Sequence, residues 1–420
     1  MNKLALHGGD PVRTKPWVSK FLGGEELGRE EKRRVLGVLE RKRIFRYLPA
    51  GLESSEVSKL ESEYKQFLGM DYALAVNSGT SALICALIAA GVGPGDEVIV
   101  PAYTWIATAA AVAILNAVPV LAEIDASLTA DPRDLAHKIT ERTKAIIVVH
   151  MRGIAADMDP IMEAARKHDL KVIEDTAQAN GGVYGGQKLG SIGDIGCFSL
   201  QQSKIITSGE GGMLVTNSET MWQRAVLYHD GAGYQFRFIS RKIPAFPGQN
   251  YRLTELQAAL SLGQIGKMAS MLEKTRENKK ELIARLKENP SLNFSPVFGT
   301  DRDLGVSLIF YLSQAKKAEI VAKALTAEGI PAHQVYDARE NDQHIYVNWE
   351  FLMQKQDPWG GSYPWGSPMY QEEVQYSKET CPFTLDLLSR AVQIHLNHLV
   401  TPADIDDVVT AVNKVVRFFC

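Results

Sequence analysis

The middle of the chain alternates between short apolar runs and longer stretches in which apolar residues recur at helical spacing. The short runs predict strands at Tyr72–Val76, Glu97–Val100, Val118–Leu121, Ala145–Val149, Lys171–Glu174 and Met213–Thr216. The stretches between them predict helices at Ser78–Ala90, Thr104–Leu115 and Asp159–His168. Strands that alternate with helices are typical of βαβ units, so we expect a mainly parallel sheet. The unbroken apolar run Ile146–Val149 fits a strand that is buried on both faces.

The pattern changes after about residue 270, where shorter and more mixed elements begin. Glu273–Glu288 predicts a charged helix of the kind that connects domains, and Ala318–Glu328 and Pro402–Val416 predict further helices. A chain of 420 residues is long for a single core. We therefore predict a large domain over residues 1–270, which includes the N-terminal segment, and a smaller domain over residues 271–420.

Residues 337–379 form a segment that is rich in aromatic side chains, with glycine and proline between them. Its aromatic residues include Tyr346, Trp349, Phe351, Trp359, Tyr363, Trp365, Tyr370 and Tyr376. This composition predicts a long structured loop. Local packing is the commoner role of such a loop, and a lid or a subunit contact over a site is the alternative, since long ordered loops tend to be functional.

The composition is that of a soluble globular protein, with 45% hydrophobic and 23% charged residues. The formal net charge of −3 gives no electrostatic case for a nucleic-acid partner, which would require a basic face, so we expect none. The cysteines lie too far apart in sequence to form a CxxC metal or redox pair, which suits a reducing compartment. Residues 1–13 contain no signal-peptide core, and the longest apolar stretch, Ala107–Val120, is too short to span a bilayer. We expect a cytoplasmic protein without a metal or a membrane partner.

The first segment with candidate chemistry is Asn77–Leu83, where a Gly-Thr-Ser turn follows a predicted strand and opens a helix. Such a turn presents free backbone N–H groups and the positive end of the helix dipole, which suit a phosphate group. Taken alone, however, a Gly-Thr helix start more often forms only an N-cap.

The second segment is Val172–Gln178, which places Asp175 at the carboxyl end of a predicted strand. Ligands of doubly wound sheets bind outside these strand ends, so Asp175 is a candidate ligand contact. The alternative is an aspartate that only caps a helix.

The third segment is Cys197–Gly212, in which Lys204 lies between an apolar strand and a Gly-rich turn. Burial of an ammonium group is costly unless the group is neutralised or paired, and a Schiff base would remove the charge. For one lysine seen alone, a surface position in a loop is the usual alternative.

Together these segments match what pyridoxal phosphate (PLP) requires of a protein: a phosphate cup, a carboxylate at the pyridine nitrogen and a lysine that forms a Schiff base. A fourth segment, Pro101–Thr108, adds Tyr103 and Trp105 after another predicted strand, where one aromatic ring could stack on the pyridine ring. Four such parts rarely coincide by chance. We therefore predict a PLP enzyme whose Schiff-base lysine is Lys204.

The sequence resembles the DegT/DnrJ/EryC1/StrS group of sugar aminotransferases, which have the fold-type I architecture of aspartate aminotransferase. The matching motifs run along nearly the whole chain and are Gly8–Arg13, Glu174–Ala179, Ser199 and Lys204 with Ser208–Gly212, Asn250–Ala259 and Leu399–Ile405. The resemblance implies an α/β fold, with a mainly parallel seven-stranded sheet in the large domain and a smaller C-terminal α+β domain.

The resemblance also implies a role for each site residue. Lys204 would form the Schiff base and then move protons, Asp175 would hold the pyridine nitrogen protonated, and Gln178 would lie near the ring's phenolic oxygen. Trp105 would stack on the ring, and Arg252 is the candidate for the amino donor's carboxylate. Contacts to the phosphate would come from Gly79, Thr80, Ser81 and Ser199, and from Asn250 of the other subunit in a homodimer with shared sites.

Three places depart from the family pattern. Arg152 lies in His150–Gly153, where many relatives have apolar or aromatic residues, and it either pairs structurally, which we favour, or reaches the substrate. The region after His333 faces the substrate in the family but follows its pattern loosely, which leaves the substrate open. His229 precedes Asp230 where relatives often have His-Gly directly, and we expect a structural role for it.

The activity implied is the transfer of an amino group from L-glutamine or L-glutamate to a keto-sugar or keto-cyclitol, with Lys204 as the proton carrier. The form of Phe198–Lys204 is closer to family members that act on cyclitols and secondary-metabolite sugars. One alternative is a nucleotide-linked keto-sugar acceptor in the synthesis of cell-surface polysaccharides.

Other classes of protein fit the sequence less well. A non-transaminating PLP enzyme of the same family is one alternative, but the family's dehydratases carry histidine in place of the lysine. A binding protein without chemistry would be expected to have lost Lys204 or Asp175. A nucleotide-binding Rossmann enzyme would show G-x-G-x-x-G after its first strand, and this chain does not.

Overall fold

The structure is a computed structural model that describes residues 3–19, 22–47, 55–231 and 243–420. Its strands belong to one large sheet, one three-stranded sheet and one short hairpin. In chain order they are β1 Tyr72–Val76, β2 Glu97–Pro101, β3 Val118–Ala122, β4 Thr143–Val149, β5 Lys171–Asp175, β6 Val183–Tyr184, β7 Gln187–Lys188, β8 Ile195–Ser199, β9 Gly212–Thr216, β10 Ser307–Tyr311, β11 Ala332–Gln334 and β12 Ala391–His395.

The helices of the described residues alternate with these strands in the middle of the chain. They are α1 Leu22–Glu25, α2 Arg29–Arg41, α3 Glu56–Leu68, α4 Gly79–Ala89, α5 Ala107–Ile114, α6 Pro132–His137, α7 Met158–Lys167, α8 Glu219–His229, α9 Glu255–Leu286, α10 Ala315–Ala327, α11 Glu350–Met353, α12 Pro382–Ser389 and α13 Pro402–Phe419. None of the described helices is both long enough and apolar enough to cross a bilayer.

The large sheet has seven strands in the order β1-β9-β8-β5-β4-β2-β3. The strands from β8 to β3 pair in parallel, while β9 pairs antiparallel with both β8 and β1. Residues of β4 divide between two cores, because Ile147 and Val149 pack with α4 and α5 while Ile146 and Val148 pack with α7. The sheet is therefore buried on both faces, and the predicted α/β fold with a mainly parallel seven-stranded sheet is confirmed.

The three-stranded sheet has the order β10-β12-β11 and is antiparallel. Its apolar side chains, among them Phe310 and Ile394, pack with α10 and α13 in a hydrophobic cluster of their own. Leu4 of the N-terminal segment belongs to the same cluster, and Arg13 forms an ion pair with Asp404 of α13 at 2.6 Å. This confirms the smaller α+β layer that the resemblance implied.

Helix α9 is longer than the sequence analysis predicted, since it begins at Glu255 rather than at Glu273. Thr254 and Gln257 form a capping box at the start of the helix. A capping box marks a helix start independently of the periodicity of apolar residues. Its first half packs with the large sheet through Leu262 and its last turns pack with the small sheet through Leu282. The helix thus crosses the domain boundary proposed at residue 270, and that boundary stays a prediction.

The aromatic-rich segment 337–379 packs mainly against the core of the large sheet. Its buried members are Tyr346, Trp349, Trp365, Tyr370 and Tyr376, whereas the Trp359 side chain is 87% exposed. Residues 343–345 also pair with the chain that follows β2, because the N–H groups of Thr104 and Ile106 donate to the carbonyls of His344 and Gln343. Helix α5 begins at Ala107 and not at the predicted Thr104, and Ile106 is its N-cap residue.

Glu174, on β5, forms hydrogen bonds with the loop at residues 190–193 and with His150, which follows β4. The carboxylate of this buried residue accepts hydrogen bonds from three backbone N–H groups of residues 190–193 at 2.7–2.8 Å. It also contacts His150, whose Nδ1 accepts the N–H of Ala156 at 3.1 Å. Nε2 of His150 must therefore carry the proton, and it donates to Glu174 at 3.0 Å.

We expect the isosteric substitution Glu174→Gln to be strongly destabilising. One acceptor oxygen would become an amide that cannot accept, which leaves two donors without partners and lowers the free energy of unfolding by roughly 2–4 kcal/mol. The urea midpoint of the variant measures this loss, with the exposed Glu163→Gln on α7 as the matched control. Equal midpoints for the two variants would contradict the anchoring role of Glu174.

Candidate active site

The carboxyl ends of the parallel strands open onto a cavity of about 420 Å³. Most of the residues proposed from the sequence line it together: Gly79, Thr80, Trp105, Asp175, Gln178, Ser199 and Lys204. They follow β1, β2, β5 and β8, whose carboxyl ends meet at one edge of the sheet. The position is where ligands bind in open parallel sheets.

The amino end of α4 provides one wall of this cavity. Ser78 caps the helix, and its Oγ accepts the N–H of Ser81 at 3.0 Å. The N–H groups of Gly79 and Thr80 have no acceptor within the helix, because the first turn of a helix offers none. A Cβ added at Gly79 would lie 2.9 Å from Cβ of Ser199, so only glycine leaves the wall open at this point.

Asp175 lies at the end of β5 with both carboxylate oxygens held in place. Oδ2 accepts the hydroxyl of Thr108 at 2.9 Å and Oδ1 accepts the N–H of Ala177 at 3.2 Å. Thr108 in turn shares a hydrogen bond with Thr104 at 2.8 Å. Burial raises the pKa of the Asp175 carboxyl, while these hydrogen bonds and the charge of Lys204 oppose the rise.

Lys204 is half-buried at the floor of the cavity, and its amine forms no hydrogen bond or ion pair with any described residue. Burial lowers the pKa of this amine, Asp175 raises it, and the positive charge of Arg152 lowers it again. A lysine with a lowered pKa is neutral at lower pH than a lysine in water, and the neutral amine is the form that attacks an aldehyde.

Trp105 and Gln178 belong to different sequence motifs but line the same cavity. The Trp105 side chain is 48% exposed, and its ring meets His344 at a centroid distance of 5.0 Å. Oε1 of Gln178 accepts the backbone N–H of Arg152 at 3.2 Å. The amide nitrogen of Gln178 therefore remains a donor for a ligand in the cavity.

Three of the proposed residues do not line this cavity. The hydroxyl of Ser81 donates to Asn77 at 2.7 Å, and Asn250 is exposed with its backbone paired to Asp230. Arg252 forms an ion pair with Asp230 at 2.8 Å. The proposed role of Asn250 belongs to a second subunit, so it stays a prediction.

Two residues line the site that the sequence analysis did not assign to it. His344 reaches both this cavity and a neighbouring one, because residues 343–345 pair with the chain after β2. Arg152 lines the neighbouring cavity, where its Nε donates to the hydroxyl of Tyr103 at 3.0 Å. The departure at His150–Gly153 was the only sequence signal for Arg152, and no local motif marks His344.

The site residues fit each part of PLP. The free N–H groups at the start of α4 and the hydroxyl of Ser199 suit the phosphate. The buried carboxylate of Asp175 suits the pyridine nitrogen, the amide donor of Gln178 suits the phenolic oxygen, and Lys204 suits the aldehyde carbon. A pocket of this size is ordinary for a small cofactor and substrate.

Comparison with known proteins agrees with this geometry. The model of the DegT/DnrJ/EryC1/StrS aminotransferase family matches residues 28–357. An L-glutamine:2-deoxy-scyllo-inosose aminotransferase of Streptoalloteichus tenebrarius is 35% identical over 79% of this chain and 81% of that relative. The GDP-perosamine synthase of Caulobacter vibrioides is 44% identical over 50% of this chain and 56% of that relative. A solved structure of 3-amino-5-hydroxybenzoic acid synthase has a TM-score of 0.76 and 26% identity, and covers 97% of this chain and 100% of that one.

Substitution of Gly79 tests the phosphate wall. In Gly79→Ala the new methyl group would press on Ser199, and we expect the affinity for PLP to fall by about 10-fold or more, as for an overpacked site. Equilibrium dialysis against PLP measures the effect. Gly93→Ala is the matched control, since a Cβ at Gly93 meets no atom within 4 Å. Equal affinities in both variants would contradict the assignment of this wall.

The charges around Lys204 make a second prediction about the cofactor-free protein. Asp175→Asn removes a negative charge and should lower the pKa of the Lys204 amine further, whereas Arg152→Gln removes a positive charge and should raise it. The pH dependence of Lys204 acetylation, followed by mass spectrometry, gives both values. Shifts in the same direction in both variants would contradict the electrostatic account.

Proposed function

The chain belongs to the DegT/DnrJ/EryC1/StrS aminotransferase family, and on that premise we propose that it transfers the amino group of L-glutamine to a keto-cyclitol. Enzymes of this family depend on PLP. The observation that carries the proposal is the cavity in which Lys204, Asp175 and the amino end of α4 meet. PLP supplies the electron sink and the carrier for the amino group when it is bound.

Lys204 is the residue that we propose moves the proton. Its amine has a lowered pKa and no hydrogen-bond partner among the described residues, so it is free to accept a proton from the donor's α-carbon and to return it elsewhere. The half-buried position limits the contact of the amine with bulk water.

Asp175 is the residue that we propose fixes the charge on the pyridine nitrogen. Thr108 and the N–H of Ala177 hold its two oxygens, so the carboxylate cannot turn away from the cavity. A carboxylate in this position favours the protonated nitrogen, because opposite charges at short distance stabilise each other.

The cofactor's phosphate would lie against Gly79, Thr80 and Ser199, with Trp105 on the ring face and Gln178 at the phenolic oxygen. Asn250 would complete the phosphate site from the second subunit of a homodimer. The hydroxyl of Ser81 donates to Asn77, so Ser81 would support the wall and would not use its side chain to contact the phosphate. We propose a cytoplasmic enzyme, and the unpaired state of all four cysteines supports this.

The choice of acceptor rests on the relatives. The Streptoalloteichus tenebrarius relative is named for L-glutamine and 2-deoxy-scyllo-inosose and aligns along most of this chain, which supports a keto-cyclitol acceptor in aminocyclitol antibiotic synthesis. The relative named GDP-perosamine synthase aligns along half of the chain at higher identity. A nucleotide-linked keto-sugar is therefore the second candidate acceptor.

The visible absorption spectrum of the PLP-loaded protein tests the proposal. We expect a band from the lysine-bound cofactor that is absent in Lys204→Ala, present in the exposed control Lys144→Ala, and bleached by L-glutamine. Return of the band on addition of 2-deoxy-scyllo-inosose, but not of a nucleotide-linked keto-sugar, would identify the acceptor class. A band that L-glutamine and L-glutamate both leave unchanged would contradict the proposed function.

A further inference from the structure

A second cavity of about 320 Å³ adjoins the first and shares Lys204, Gln178 and His344 with it. Its remaining walls come from both sheets, with Arg152 after β4 on one side and Ser307 and His395 of the small sheet on the other. A molecule bound here would touch Lys204 and lie outside the wall that suits the cofactor's phosphate. This second cavity is therefore the place for a substrate.

Arg152 contributes a guanidinium group to the second cavity. Its Nε donates to the hydroxyl of Tyr103 at 3.0 Å, and the guanidinium carbon lies 5.8 Å from the centre of the Tyr103 ring. The two terminal nitrogens carry four more N–H donors. Within the described ranges, these donors form no hydrogen bond, and Arg152 takes part in no ion pair.

Arg252 differs from Arg152 in this respect. The guanidinium of Arg252 forms an ion pair with the buried Asp230 at 2.8 Å, and Arg252 lines neither cavity. Its charge is already balanced within the chain. The structure therefore favours Arg152 over Arg252 as the arginine that is open to an anionic ligand.

The backbone at Arg152 holds an unusual conformation, with φ 52° and ψ 31°. This is the left-handed region, which residues with a Cβ rarely adopt and which is over-represented at functional sites. The turn is fixed from both sides, since Gln178 accepts the N–H of Arg152 and the carbonyl of Gly153 accepts the N–H of Leu304 at 2.9 Å. The side chain thus projects from a rigid turn into the second cavity.

We propose that Arg152 binds the α-carboxylate of the amino donor. This inference rests on the proposed function. In an α-amino acid the carboxylate and the reacting amino group are attached to the same carbon, so the carboxylate must lie close to the site of reaction at Lys204. A keto-cyclitol carries no negative charge, and the phosphates of a nucleotide-linked sugar are several bonds from the reacting carbon. An arginine with two free terminal nitrogens binds a carboxylate through paired hydrogen bonds.

The test compares two amines on the PLP-loaded protein. L-Glutamine carries the α-carboxylate, and 4-aminobutanamide is the same molecule with a hydrogen atom in its place. The dissociation constant of each follows from the change in the cofactor's absorption. In Arg152→Gln we expect L-glutamine to bind about 10- to 100-fold more weakly, as for the loss of hydrogen bonds to a charged group, and 4-aminobutanamide to bind as it does to the wild type.

Two variants serve as references. Arg152→Lys keeps the charge but not the paired donors, and should lie between the wild type and Arg152→Gln. Arg166→Gln removes an exposed arginine on α7 and should not differ from the wild type for either amine.

Several outcomes would overturn the inference. One is an Arg152→Gln protein that retains the cofactor band and the wild-type affinity for L-glutamine, and another is a wild type that binds the two amines equally. If Arg252→Gln, and not Arg152→Gln, weakened the binding of L-glutamine but not that of 4-aminobutanamide, Arg252 would be the residue that binds the carboxylate. If Arg152→Gln weakens only the binding of a nucleotide-linked keto-sugar, the arginine binds phosphate. In all these cases the wild type still responds to L-glutamine, whereas no response of the wild type would mean that the proposed function itself is wrong.

Discussion

The attraction between Lys204 and Asp175 is the interaction on which the site depends. Burial raises the pKa of the carboxyl and lowers that of the amine, so each group alone would tend to lose its charge. Each charge opposes the shift of the other. The result is an amine and a carboxyl group whose charges support each other, with the carboxylate held in place by Thr108 and the N–H of Ala177.

The two members of this pair come from different kinds of structure, since Asp175 ends strand β5 and Lys204 lies in the turn between β8 and β9. Asp175 ends a central strand of the sheet, and the adjacent Glu174 holds the next loop through backbone hydrogen bonds. Neighbouring side chains in a strand point to opposite faces, so the Glu174 carboxylate supports the scaffold while the Asp175 carboxylate faces the cavity. Thr108, in the first turn of α5, holds the Asp175 carboxylate in place through a hydrogen bond from its hydroxyl.

Much of the fold, and the grouping of most candidate site residues around one cavity, could be predicted from the sequence because the signals are local. Lys204, Asp175 and Gly79 each lie at the junction of a strand with a turn, where a short motif identifies both the element and the chemistry. Arg152 and His344 could not be assigned in this way, because their position depends on contacts with Tyr103 and Thr104, which lie far away in the chain. The role of Arg252 follows from the resemblance and from the affinity of arginine for carboxylates, whereas its ion pair with Asp230 is visible only in the structure. The start of α9 is marked by the capping box of Thr254 and Gln257, which lies well before the charged stretch Glu273–Glu288.

Helix α9 is continuous over 32 residues and joins a hydrophobic cluster of the large sheet to the cluster of the small sheet. Each residue added to or removed from an α-helix turns everything beyond it by about 100° and shifts it by about 1.5 Å. A single insertion between Leu272 and Leu282 would therefore rotate the apolar side chains that meet the small sheet out of register with it. Ser307 and His395 of the small sheet would then move away from Lys204. The length of this helix should accordingly be held constant during evolution, while its sequence on the exposed side is free to drift.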